Sequence, residues 1–274
     1  MTLTLPPPRL IALLYGLTLL LALPTAYALF STLNTEAGQS LAPLQMLSSF
    51  DYTVFDDFWA QSGRAIWPIL RMGWLTAPLS VLGWTWATGG LLHSFGNPFR
   101  AESFWQVGTH YWARYVRLLG VTMLFTLAVF IVPFVTGILL AVAFADSLTE
   151  RGLFWLGFGG FALGLLSTWL IWCIADYAKV LMYRTDERGA FRAYGQAGRF
   201  VLANLRATFG PYLLLVALGA GLLGTYLLLD ALITMRNWPL ILLMVVLQQL
   251  LIVGRVILKV LTLRVAYDVT QKVF

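Results

Sequence analysis

The stretch "LLMVVLQQLLIVGRVILKVL" (residues 242–261) decides the fold. It is long enough, at 1.5 Å per residue, to rise about 30 Å as an α-helix, which is the thickness of a bilayer's hydrocarbon core. Backbone groups in lipid have no water to bond, so a crossing segment of this kind satisfies them only as a helix. Yet Gln248 and Gln249 stand at its middle, and Arg255 follows two turns later. The stretch therefore fixes the class of the protein and also marks its chemically misplaced residues.

Working outward, five further apolar runs lie at 10–30, 74–92, 118–145, 153–175 and 209–233, and the opening stretch belongs to a sixth at 238–261. Composition agrees, with 59% AVILMFWYC, 11% charged residues and a mean hydropathy of +0.80. No water-soluble domain of this size is so apolar. The sequence predicts an all-α polytopic membrane bundle, a single membrane domain over 1–274 with six transmembrane helices. The one cysteine, Cys173, excludes an internal disulfide and reads as a small apolar residue within the fourth span.

Orientation follows from counting, because Lys and Arg concentrate in cytoplasmic loops. With six spans, 14 of the 18 basic residues fall on one side, from Arg9 and Arg100 to Arg264 and Lys272, and Arg64, Arg71, Arg151 and Arg236 fall on the other. The 12 acidic residues divide 5 against 7, leaving +9 on the first face and −3 on the second. Both termini are thus expected in the cytoplasm. The basic pI of 9.6 reflects this topology and attraction to anionic lipid at the cytoplasmic face, and implies no nucleic-acid partner. Ala26-Tyr27-Ala28 resembles a signal-peptide cleavage site, but the apolar run continues through Leu29 and Phe30 behind a single Arg9. The first span is expected to stay as a signal anchor, and cleavage would leave the C-terminal side unchanged.

Three amphipathic segments read as in-plane interfacial helices, about 54–70, 100–116 and 187–205. In the second, Phe104, Val107, Tyr111, Tyr115 and Leu118 oppose Gln106, His110, Arg114 and Arg117. In the third, Phe191, Tyr194, Ala197, Val201 and Leu205 oppose Arg192, Gln196, Arg199 and Arg206. An apolar face, a basic opposite face and many aromatics suit the membrane surface. "FRA" recurs at 99–101 and 191–193, and the basic tails "ADYAKVLMYR" (175–184) and "RVILKVLTLR" (255–264) match, which reads as an interfacial helix plus a helical hairpin occurring twice.

The order "PFRAESFWQVGTHYWARYVRLL" (98–119), "DYAKVLMYRTDERGAFRAYGQAGRFVLANLRATFGPYLLL" (176–215) and "VLQQLLIVGRVILKVLTLRVAY" (246–267) resembles an uncharacterised family of bacterial six-span inner-membrane proteins. It is more distantly similar to the membrane region attached to some glycerophosphodiester phosphodiesterases, whose catalytic domain has no counterpart here. The resemblance implies a bacterial cytoplasmic (inner) membrane and carries no activity, substrate or cofactor.

The residues themselves offer little chemistry. His93 and His110 have no carboxylate or cysteine at ligand spacing and read as interfacial side chains. Asp56 and Asp57, with Asp51, read as a solvated helix start ahead of a cation site. No catalytic, cofactor or metal site is expected, and no enzyme. Gly160 with Gly164, Ala220 with Gly224, and Gly83, Gly89 and Gly90 are small residues expected to let helices of the bundle approach closely.

What remains is the set Asp176, Gln248, Gln249, Arg255 and Lys259. At 100° per residue Gln248, Arg255 and Lys259 form one stripe, with Gln249 turned away. A charge deep in the bilayer costs about 2.5–3.5 kcal/mol on insertion scales, so the stripe is expected to face the bundle interior, with Arg255 reaching Asp176 on the fourth span. Structurally it would fix helix packing or let an Arg snorkel; functionally it would line a polar path. Two readings follow: a non-enzymatic scaffold or accessory subunit with protein partners in a membrane complex, and a transporter or permease subunit for a small molecule or lipid.

The topology has a direct test. Single cysteines in a Cys173→Ser background should react with an impermeant thiol reagent from outside intact cells at 31–72 and 146–152, and stay protected at 94–117 and 180–208. Outside labelling of 180–208 would reverse the orientation.

Overall fold

The computed structural model describes residues 6–36, 52–143, 149–233 and 237–273. These residues form seven α-helices and, among them, no strand: α1 (Pro8–Glu36), α2 (Tyr52–Gly96), α3 (Ala101–Ala143), α4 (Glu150–Thr185), α5 (Ala190–Ala203), α6 (Leu205–Leu232) and α7 (Trp238–Val273). Five of them, α1, α3, α4, α6 and α7, are long and apolar enough to cross a membrane. Such helices with exposed apolar flanks are compatible with a multi-pass membrane protein. The run 74–92 lies within α2 but is not among the five, because Trp74, Trp84, Trp86, Pro78, three threonines and three glycines dilute its aliphatic content.

The chain divides into two compact units, one of Ala12–Trp84 and one of Met1–Ile11 with Thr85–Phe274. In the first, the hydroxyls of Thr25 and Thr76 share a hydrogen bond of 2.6 Å, and the Leu21 side chain lies over Gly83, where an added Cβ would come within 2.9 Å of it.

In the second unit α3, α4 and α7 have 43, 36 and 36 residues, so they rise about 54–65 Å, well beyond a hydrocarbon core of roughly 30 Å. Their two ends differ in packing. From Met123 to Val142 on α3 and from Leu153 to Leu163 on α4 most large apolar side chains are exposed. At the other end Phe104, Tyr115, Leu118, Val180, Met182 and Val260 are fully buried. The protein core therefore sits at the basic end, and the opposite halves present aliphatic surface.

The helical segments differ from the expected three in-plane helices. Residues 54–70 are continuous with 74–92 in α2, which runs through Pro68 and Pro78. Residues 100–116 are likewise continuous with the following span in α3. The buried positions Phe104, Gly108, Tyr115, Leu118 and Thr122 continue one stripe across the junction, and no proline interrupts it before Pro133. Only 187–205 yields a separate helix, α5. It buries Ala193, Tyr194, Ala197 and Val201 against α3 and α4, with Arg192, Gln196 and Arg199 exposed. Tyr194 donates its hydroxyl to the Ile171 carbonyl (3.3 Å) and stacks on Phe125 (4.9 Å), so α5 lies where the exposed halves of α3 and α4 give way to the buried ones. The chain turns from α5 into α6 on Asn204 alone: its N–H donates to the carbonyls of Phe200 and Val201, and the buried Thr208 hydroxyl sits 2.9 Å from its carbonyl.

Of the small residues expected at close helix contacts, those of α2 meet a neighbour and those of α4 and α6 do not. An added Cβ would meet nothing within 4 Å at Gly160, Gly164 or Gly224, and Gly160 and Gly164 instead open onto an apolar groove of about 580 Å³ between α3 and α4. Close approach occurs where α2 crosses α3. A Cβ on Gly90 would lie 2.5 Å from the Phe104 carbonyl oxygen and ring, and one on Gly89 would lie 3.0 Å from the Val107 carbonyl. Gly90→Ala should therefore lower stability by about 1–3 kcal/mol through overpacking. Gly160→Ala should be neutral or gain a few tenths, since alanine is the better helix former. Thermal melting of the two variants in detergent checks the contrast.

Candidate polar site at the basic end

Polar side chains that α-helices of an apolar bundle carry inward must find partners, because hydrocarbon supplies none. Asp176, at the inner end of the apolar run of α4, finds Lys179 at 2.7 Å one turn along the same helix, both side chains being less than one-fifth exposed. Cys173, Tyr177, Tyr212 and Lys259 lie within electrostatic reach of Asp176. The Tyr177 hydroxyl is buried without a hydrogen-bond partner among the described residues. The structure thus brings Asp176 and Lys259 near each other, and with them a lysine and two tyrosines outside the expected set.

The expected Asp176–Arg255 pair is not formed, and the stripe does not face inward. Gln248, Arg255 and Lys259 are exposed, and Gln249 is half-buried. The reason lies one residue along the helix. α7 packs through Met244, Val256 and Val260, all nearly or fully buried, with Gly254 against Leu222 of α6. Positions 255 and 259 are rotated 100° from those valines; Arg255 is exposed, and Lys259, though partly exposed, keeps its head group within electrostatic reach of Asp176. Lys179 wins Asp176 because an i,i+3 pair on one helix needs no approach between helices.

A second polar cluster, absent from the expected set, joins α2, α3, α4 and the turn after α4. Arg114 of α3 is only 8% exposed and pairs with the Asp186 carboxylate while also donating to the Asp186 carbonyl at 3.4 Å. Asp186 is the C-cap of α4 and adopts a left-handed conformation (φ 52°, ψ 28°), which aspartate tolerates better than most residues. Tyr111 donates to the same carboxylate at 3.4 Å and lies 5.0 Å from the Arg114 guanidinium. The Tyr111 ring in turn contacts Tyr115 and Tyr183, and the Tyr183 hydroxyl meets His93 Nδ1 at 3.2 Å. Beside it, Arg264 stands over the Phe95 ring and Phe95 packs edge-on to Tyr267, tying α7 to α2.

This geometry ties helix ends together. His93 serves Tyr183, and His110 is exposed beside Tyr111. Among the described residues no group of three His, Cys, Asp or Glu is placed to hold a metal ion, and Asp51 lies outside them. Arg114 was read onto the polar face because it is an arginine beside Tyr115; the signal that could have found it is the turn "TDERG" (185–189), which the hairpin of the two intervening apolar runs brings back to the level of the basic, tyrosine-rich segment.

The hydrogen bond from Arg114 holds the Asp186 carboxyl below its ordinary range, with partial desolvation opposing. A carboxyl whose folded pKa is depressed contributes stability above its unfolded pKa and loses it as pH falls through the folded value. The melting advantage of the wild type over Asp186→Asn should therefore be constant from pH 8 to about 4, the unfolded aspartate value, and fade below it. An advantage that instead grows on acidification would refute the pairing. Compared with known families, with curated proteins and with solved structures, the chain finds no match.

Proposed function

We propose that the chain is a six-span protein of the bacterial inner membrane, with both termini cytoplasmic, that acts as a non-enzymatic scaffold or accessory subunit of a membrane complex. The run 74–92 of α2 supplies the sixth span in this reading. Its inner turns, from Ala87 to Leu92, are buried by protein and have no need of an aliphatic, lipid-facing composition. The bacterial location follows the family resemblance, and the orientation follows the charge count.

One observation carries the reading. Gln248 lies about 15 Å along α7 from Trp238, which puts it at mid-membrane if Trp238 marks the outer interface, and it is exposed. An amide left unpaired in hydrocarbon costs several kcal/mol, whereas a hydrogen bond to a neighbouring helix relieves that cost. An outward amide at this depth is best met by a helix of another subunit. A permease with a polar path along its last span would turn Gln248 and Arg255 inward, and their exposed position favours the scaffold.

Co-purification from native membranes tests this. A discrete set of membrane proteins should accompany the wild type and be lost with Gln248→Leu, while detergent melting stays unchanged. Identical partners for both forms would remove Gln248 from the interface, and solute flux lost in the variant would turn the reading to the permease.

A further inference from the structure

α5 carries a second apolar edge that the bundle does not use. Its buried side chains Ala193, Tyr194, Ala197 and Val201 form one face, and Phe191, Gly195 and Leu202 form another, roughly 120° around the helix. Phe191 is 66% exposed and Leu202 55%, so Phe191 stands apart from the Tyr194 face with which the sequence pattern groups it. Arg192, Gln196 and Arg199, all exposed, follow about 90° further round. The arginines are poorly neutralised: Arg192 has Glu187 at 3.9 Å, and Arg199 has no ion pair among the described residues.

Tyr194 fixes the level of this edge, since it stacks on Phe125 at 4.9 Å and donates to the Ile171 carbonyl. Phe125 and Met123 are themselves exposed, so the apolar flank of α3 continues to the level of α5. Apolar side chains at that level, with cations a quarter-turn round, match the order of a leaflet edge, hydrocarbon and then phosphate. An acidic protein segment would answer the arginines and leave the apolar edge unexplained.

We propose that the outer face of α5 docks on the anionic lipid headgroups of the adjoining leaflet, with Phe191 and Leu202 in the acyl boundary and Arg192 and Arg199 on phosphates. The proposal rests on the membrane reading above, and position 131 in the experiment below reports on that reading by itself.

The reporter is Gly195→Cys in a Cys173→Ser background, because a Cβ there meets nothing within 4 Å and both apolar anchors are kept. The full chain is placed in nanodiscs of phosphatidylcholine with or without phosphatidylglycerol. The rate of modification by a water-soluble thiol reagent is compared with that of Gln196→Cys on the cationic face. Phosphatidylglycerol should slow position 195 relative to 196 by about ten-fold or more, each arginine contributing about five-fold. Arg192→Gln with Arg199→Gln should abolish that increment, and Arg192→Lys with Arg199→Lys should keep it. Salt should weaken it with both arginines in place. Ile131→Cys, on the exposed flank of α3, should stay unreactive in every nanodisc. A freely reactive Ile131→Cys would overturn the membrane reading and the proposal together. With position 131 protected, equal rates at 195 in the two lipids, or an increment untouched by the glutamine pair, overturns the proposal alone. Protection at 195 in native membranes that nanodiscs do not reproduce would assign the face to a protein.

Discussion

A hydrocarbon layer of about 30 Å cannot cover helices that rise 54–65 Å, and the rest of the second unit follows from that mismatch. In lipid, aliphatic side chains would need no protein partner, and the exposure of the stretches from Met123 and from Leu153 is compatible with that solvent. Beyond it the same helices meet water and must cover one another, which gives the buried head of Phe104, Tyr115, Val180, Met182 and Val260. α5 lies at the change between the two regimes, its small face turned to the bundle and its arginines outward.

Polar groups divide along the same line. In the head they are tied in a network, from His93 through Tyr183 and Tyr111 to Arg114 and Asp186, with most members on helix ends. Exposed aspartate and buried arginine make an unequal pair: the arginine gains the partner that its burial demands, and the aspartate, 60% exposed, gains little beyond a fixed turn. Within the apolar zone polar groups are few. Asp176 and Lys179 satisfy each other locally, and Gln248 is left to whatever lies outside the chain.

The all-helical architecture and five helices long and apolar enough to cross a membrane were legible in hydropathy alone, because length and aliphatic content set that property. The sixth run is weaker by composition for a reason hydropathy does not see, namely that protein covers the inner turns of α2. Segment 100–116 carried a sound amphipathic pattern, and its buried face was read correctly except at Arg114; what the pattern could not say is that the helix continues without a break into α3. The stripe of Gln248, Arg255 and Lys259 was likewise drawn on the helix, but Gln248 and Arg255 are exposed and only Lys259 comes near Asp176. A helical wheel gives relative angles, while the facing surface is chosen by what neighbouring helices fit, here Val256, Val260 and Gly254. The glycines divide: Gly89 and Gly90 allow the close approach expected of them, whereas the GxxxG pair Gly160 and Gly164 meets no helix.

The corner at Asn204 makes α5 and α6 a bent rod. A turn closed on one residue, with the Asn204 N–H and the Thr208 hydroxyl both committed to backbone carbonyls, has no slack to absorb a change in tilt. Leaning α6 away from α7 would therefore swing α5 like a crank arm and draw Tyr194 off Phe125 and the Ile171 carbonyl. A change of tilt in α6 would in this way be felt at α3 and α4, against which α5 packs.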